Sequence, residues 1–325
     1  MALKKPSPIE SILNEHRRRL ARVVERGGVR RARDLYDDVA RLVERRLRAL
    51  GGRSSNQFTA HQLRIFLAQV KQGQALLTLR LAGHLGDLTR EAQVEAVRAV
   101  SKDIARLERH FRGAEVILPI DEAGRFSGII HGDSPASLIR KHRMHAAHTE
   151  LSAKMAVRAA DATEQVMSLA LLSGRSMGET IDDVMDALGD GRWQAERIVR
   201  TESLWAYNSA QADAIEASAE ELPDLEMRWT EYIDDATGQR LDLRVAGDSV
   251  VMHGQVVPPG SMFIFPNDYA DLLDDPKELK ACARFVGRSW AHPPMRPNDR
   301  SSLIPWRRDW GIPGWRWQDG HRIFL

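Results

Sequence analysis

The chain has a single cysteine, Cys282, among 325 residues. No internal disulfide can form, and a zinc site built on several thiolates is excluded. That usage fits assembly in a reducing cytoplasm. No apolar run approaches the roughly 18 residues that a membrane-spanning helix needs. The N-terminal stretch Met1-Ala2-Leu3-Lys4-Lys5-Pro6 lacks the apolar core of an export signal, so a soluble, non-exported protein is expected. The common catalytic signatures are missing too. There is no Gly-x-x-x-x-Gly-Lys phosphate loop, no Gly-x-Ser-x-Gly elbow and no His-Glu-x-x-His metal pair.

What is present is an uneven spread of charge beneath a formal net charge of only +2. Residues 1–50 carry 14 basic and 7 acidic side chains, whereas residues 221–280 carry 5 basic and 13 acidic. The last 45 residues return to 8 basic against 3 acidic. Basic ends around an acidic middle point to a polyanion or to complementary protein surfaces, with ordinary solvated faces as the plain alternative.

Helical spacing dominates the first two thirds. Ser7-Pro8-Ile9-Glu10 reads as a helix start, with Ser as cap and Pro at the first helical position. Gly27-Gly28 should interrupt this helix, and a second one should run through Leu35, Val39, Val43 and Leu47 to Gly51-Gly52. Its outer faces are rich in arginine, so Arg30, Arg31, Arg41, Arg45 and Arg46 are candidate contacts to DNA or to an acidic partner. Two further helices are expected over 58–81 and 89–111. Residues 116–132 break the pattern, and Ser134-Pro135 opens a long segment to Leu172. There His142, His145 and His148 share one helix side among arginines and a lysine, which reads as a solvated basic face rather than a metal site. No metal or other cofactor is expected.

Ser176-Met177-Gly178-Glu179 should cap a short helix that ends in a turn at Gly189-Asp190-Gly191. The next helix, residues 193–217, carries Arg200, Glu202 and Asn208 beside an apolar stripe, where charges and amides need partners. Beyond Glu221 the period changes. Residues 225–233 alternate as a strand does, Asp234 to Gly238 make a turn, and 250–257 and 262–265 read as short strands. The final stretch holds Trp306, Arg307, Arg308, Trp310, Trp315 and Trp317, either as partner anchors or as residues packed back on the parent domain. The expected fold is therefore α+β: a mainly helical N-terminal two thirds, then a small domain with short antiparallel strands. In chain order this gives an Arg-rich helical region 1–132, long helices 133–220, an α+β part 221–305 and a Trp/Arg-rich tail 306–325.

Several of these pieces together resemble a known family. Arg200-Thr201-Glu202 followed by Ala206 and Asn208 is similar to the Arg-Thr-Glu-Thr…Ala…Asn helix of the phage minor head proteins named for protein F of phage Mu. Trp229-Thr230 resembles the family's tryptophan strand and Asp234-Asp235 its acidic turn. His253-Gly254-Gln255-Val256-Val257-Pro258 resembles its His/Leu-x-Gly strand, and Phe263 with Pro266 the segment after it. Pro297 and Asn298 sit where the family closes on Pro-Asn-Cys-Arg-Cys, but Asp299 and Ser301 replace its cysteines. The resemblance covers about residues 176–305.

The resemblance implies a virion component present in a few copies inside the head, not a metabolic enzyme. It would bind the portal protein at its vertex during head morphogenesis in the host cytoplasm, alongside inner capsid or scaffold, with double-stranded DNA as a further partner. Arg200, Thr201, Glu202, Asn208, Trp229, Asp235, His253, Gly254, Pro297 and Asn298 would then define the fold. A different class stays open from the residues alone: metal-independent phosphodiester cleavage, with His253 or Glu202 moving the proton and Arg240 holding the phosphate.

Overall fold

A computed structural model describes residues 8–51, 60–116, 165, 177–235, 237, 239–242, 244–295, 299, 301–318 and 321–325. The chain is α+β, with long helices first and short antiparallel strands last. Helix α1 (Pro8–Leu20) runs into a π-helical stretch, Ala21–Val29, and then into α2 (Arg30–Gly51). Helix α3 is Ala60–Arg112 and α4 is Met177–Ala219. Then come β1 (Glu226–Thr230), α5 (Gly247–Met252), β2 (Val256–Val257), β3 (Phe263–Ile264), α6 (Pro276–Cys282) and β4 (Ser289–Trp290). Strands β5 (Ser302–Trp306), β6 (Trp315–Gln318) and β7 (His321–Phe324) finish the chain.

Three expected breaks are corrected. Gly27-Gly28 widens the helix into π geometry instead of ending it. The two helices expected over 58–81 and 89–111 are one, and Gly189-Asp190-Gly191 lies inside α4. Glycine costs a helix interior only about 1 kcal/mol, which tertiary packing readily outweighs. At Gly28 the packing is visible: an added Cβ would meet Leu88 Cδ2 at 2.5 Å and Val199 Cγ1 at 3.0 Å. The small residue lets three helices approach.

The chain groups into two units that interleave along the sequence. One comprises Val23–Leu88 and Leu138–Arg200; the other Met1–Arg22, Thr89–Ser137 and Thr201–Leu325. The first is helical among its described residues. Its α2 buries Ala32, Tyr36, Val39 and Val43 along one stripe, and Gly73 of α3 meets Val43. Burial pushes the Tyr36 phenol up to about 12.

Among the described residues, all the strands lie in the second unit. Its main sheet has the order β2-β1-β5, antiparallel throughout, with Trp229 opposite Leu303 and Arg228 opposite Val256. Strands β3–β4 and β6–β7 form two small antiparallel pairs. Every residue of β5 is buried, so Trp306 is a core strand residue and no tail begins there. A strand expected over 250–257 is also corrected: Gly247–Met252 is helical, and only Val256–Val257 pairs with β1. The expected features at 117–132, the segment 134–172 with His142, His145 and His148, and Pro297 with Asn298 lie outside the described residues.

Candidate functional site

In the second unit α4 lies beside β5. Asn208 is fully buried, as its place near an apolar stripe demanded, and its partners are backbone and hydroxyl. Its Nδ2 donates to the Ser301 carbonyl at 3.1 Å, and the Ser302 hydroxyl donates to its Oδ1 at 2.9 Å. The same hydroxyl contacts His16 Nε2 of α1, so one serine joins two helices to the sheet. Arg200, Thr201 and Glu202 are half-buried on the preceding turn.

Residues 253–255 lie across β1. The Gly254 amide donates to the Trp229 carbonyl at 2.9 Å, and the Trp229 amide to the Gln255 carbonyl at 2.9 Å. Gly254 has φ +83°, and a Cβ there would stand 3.2 Å from the Trp315 ring, so glycine answers both backbone and space. Trp315 bonds back, donating through Nε1 to the His253 carbonyl at 2.8 Å. Trp229 is buried, edge-on to Phe263 at 5.1 Å between centroids.

Two polar clusters flank this crossing. In the first, His253 Nε2 donates to Asp235 Oδ1 at 2.9 Å, while its Nδ1 accepts the Glu231 amide at 3.1 Å. An Nδ1 that accepts a backbone N–H carries no proton, so the ring is the neutral Nε2–H tautomer. Asp235 Oδ1 also takes Arg228 Nη2, and Arg228 Nε donates to the Pro313 carbonyl at 2.8 Å. Burial raises the Asp235 carboxyl, but the bond from His253 and the charge of Arg228 outweigh it and hold the group below its ordinary value. Burial lowers the Arg228 guanidinium, opposed by Asp235.

In the second cluster two buried carboxyls, Glu231 and Asp299, meet at one hydroxyl. Ser301 Oγ lies 2.9 Å from Glu231 Oε2 and 2.6 Å from Asp299 Oδ1. The hydroxyl has one proton and cannot serve two carboxylates. If Glu231 is protonated it donates to Ser301, which donates on to Asp299. Burial first, then the adjacent Asp299, pushes the Glu231 carboxyl up to about 7. Ser249 Oγ and the amides of Met295 and Ser301 complete the shell of Asp299. Asp299 and Ser301 stand where the family resemblance would place cysteines; here they form a hydrogen-bonded core. Neither Glu231 nor this pairing was anticipated, because Glu231 reads as an ordinary polar position of an alternating strand.

The residues named for cleavage do not form one site. Arg240 clasps Glu278 of α6 at 2.8 and 2.6 Å and donates to the Val245 carbonyl, and it bonds neither His253 nor Glu202. Both ring nitrogens of His253 are occupied. Among the described residues no group of three or more His, Cys, Asp or Glu side chains could hold a metal ion.

The C-terminal aromatics pack back on their own unit. Trp306 Nε1 donates to the Ile312 carbonyl at 2.9 Å, and Trp310 Nε1 reaches Glu108 Oε1 at 3.2 Å. Arg307, also buried, donates to the same Glu108 oxygen at 2.7 Å. Trp306, Arg307, Trp310 and Trp315 are thus interior residues, Trp317 is half-buried, and Arg308 is exposed. In the helical unit Arg41 pairs with Asp38, Arg45 donates to the Arg41 carbonyl, and Arg46 reaches Gln69 and Gln72. Arg30 and Arg31 are exposed and make no ion pair among the described residues. Comparison with family models, with curated proteins and with solved structures yields no match.

Proposed function

We propose that the chain is a phage minor head protein of the kind named for protein F of phage Mu, a low-copy virion component that binds the portal vertex during head morphogenesis. One observation carries the reading. The residues of the resemblance are spent on holding a domain together: Asn208 fastens α4 to β5, Gly254 lets Trp315 close over β1, and Asp235 holds His253 against Arg228. Both ring nitrogens of His253 are bonded within the domain, to Asp235 and to the Glu231 amide, which favours a structural role for it. A framework of this kind suits a binding module whose partner surface lies elsewhere on the fold.

No helix among the described residues is long and apolar enough to cross a membrane. The test is co-expression with a portal protein from the same genome, followed by size-exclusion chromatography. The chain is expected to elute with the portal ring. Elution of the ring alone, with plasmid nicking by the free chain that His253→Ala abolishes, would overturn the proposal in favour of a nuclease.

A further inference from the structure

Glu231 and Asp299 share the Ser301 hydroxyl but are held differently. Asp299 accepts two backbone amides, Met295 on Oδ2 at 2.8 Å and Ser301 on Oδ1 at 2.9 Å. Glu231 accepts one, the Tyr232 amide on Oε1 at 2.9 Å. Both carboxyls are buried, and among the described residues no lysine or arginine bonds either one. Amide donors favour the ionised form, so the better-supplied Asp299 is the carboxylate and the proton of the pair sits on Glu231. The other ionisable groups on the surrounding elements are engaged elsewhere. Asp248 of α5 accepts the Ser249 amide at 2.9 Å, Arg228 and His253 are bonded to Asp235, and His292 Nδ1 donates to the Pro293 carbonyl at 2.6 Å. Loss of the shared proton therefore leaves two buried anions across one hydroxyl, with no cation to offset them.

The two sides of the pair resist separation unequally. Glu231 directly follows β1, whose Thr230 is paired with Ser302, and its amide is fixed by His253. Met295 and Asp299 belong to no helix or strand. Giving up the two amide bonds to Asp299 is the less costly relief. We infer that Glu231 and Asp299 form a proton-controlled latch on the Met295 and Ser301 amides, closed while the pair holds a proton and released when the proton is lost. The closed latch fastens these amides to the end of β1; its release frees them while the β1–β5 ladder stays paired. Burial and the adjacent Asp299 raise the Glu231 carboxyl from 4.5 to about 7, so the closed state loses its advantage as pH rises between these values. The latch works whether or not the chain enters a phage head.

The test is amide exchange by NMR on the deuterated full chain from pH 5 to 8, with and without about 1 M urea. Protection of the Met295 and Ser301 amides should fall about tenfold per pH unit between pH 5 and 7, because each opening releases one proton in that range, and should level off above it. Urea should leave the fall unchanged, since a local opening exposes little surface, whereas the Trp229 amide, bonded to the Gln255 carbonyl, should lose protection in urea with the whole unit. Glu231→Gln keeps a donor for Ser301 and carries no charge, so both amides should stay protected at every pH. Protection that ignores pH, or that falls in urea in step with Trp229, would overturn the latch without recourse to any variant. A folded Glu231→Gln chain that keeps the wild-type pH profile would overturn it as well.

Discussion

His253 Nε2 lies 2.9 Å from Asp235 Oδ1, and that bond fixes which nitrogen of the ring bears the proton. The other nitrogen accepts from the Glu231 amide, so protonating the ring would break a backbone bond inside the unit. Imidazole NMR should show a single tautomer, with the proton on Nε2. A ring that carries its proton on Nδ1 would refute the assignment. His253→Ala should cost about 1–3 kcal/mol of stability, since it strips partners from buried polar groups.

Stability should fall as pH rises from about 5 to 8. Glu231 is raised from 4.5 to about 7 by burial and by Asp299. Asp103 is raised from 3.8 to about 7, by burial above all, with Arg19 opposing. For a carboxyl whose folded value is raised, the native state binds the proton more tightly. The stabilisation is complete below the unfolded value and is lost as pH rises through the folded one. Asp235 is shifted downward, so its contribution is lost only at acid pH, outside this window. Urea unfolding at unit pH steps measures the trend. Glu231→Gln, which mimics the protonated form, should flatten it and gain on the wild type at pH 8. A variant whose pH profile parallels the wild type would sink the account of this pair.

Glu108 joins α3 to the C-terminal segment by accepting from Arg307 Nη1 at 2.7 Å and from Trp310 Nε1 at 3.2 Å. Glu108→Ala takes away the buried partner of Arg307 and leaves it the more exposed Asp224 and Asp309, so it should cost about 3 kcal/mol. Tryptophan emission should shift to the red as Trp310 loosens. A substitution that leaves both unfolding and emission unchanged would mean that the segment is held by its strands alone.

Gly28→Ala puts a methyl group 2.5 Å from Leu88 Cδ2 and 3.0 Å from the stiff Val199 side chain. Overpacking of this sort costs about 1–3 kcal/mol, and Gly28→Val should cost more. Thermal unfolding checks both. A stabilised Gly28→Ala, as helix propensity alone would give, would contradict the close approach of the three helices.

Much of the architecture could be read from periodicity, because the buried stripes of α2 and α4 and the alternation of β1 are repeated signals. The change from helix to strand after Glu221 and the burial need of Asn208 were both visible. Helix continuity was not: Gly27-Gly28 and Gly189-Asp190-Gly191 look like stops locally, and only neighbouring helices hold them helical. Gly247–Met252 failed for a related reason. Val250, Val251 and Met252 favour strands, yet packing rather than propensity fixed a short helix there. The tryptophans of the last stretch looked like anchors for a partner, since composition does not tell which domain an anchor serves. The carboxyl pair at Ser301 joins residues 70 positions apart along the chain, a distance no local pattern spans.

The central claim is that the chain is built into the phage head. Quantitative mass spectrometry of gradient-purified, DNA-filled heads tests it most directly. The account predicts the chain in every preparation, in a small ratio to portal subunits that stays fixed after a high-salt wash. A chain absent from purified heads and recovered only in the host lysate would contradict it.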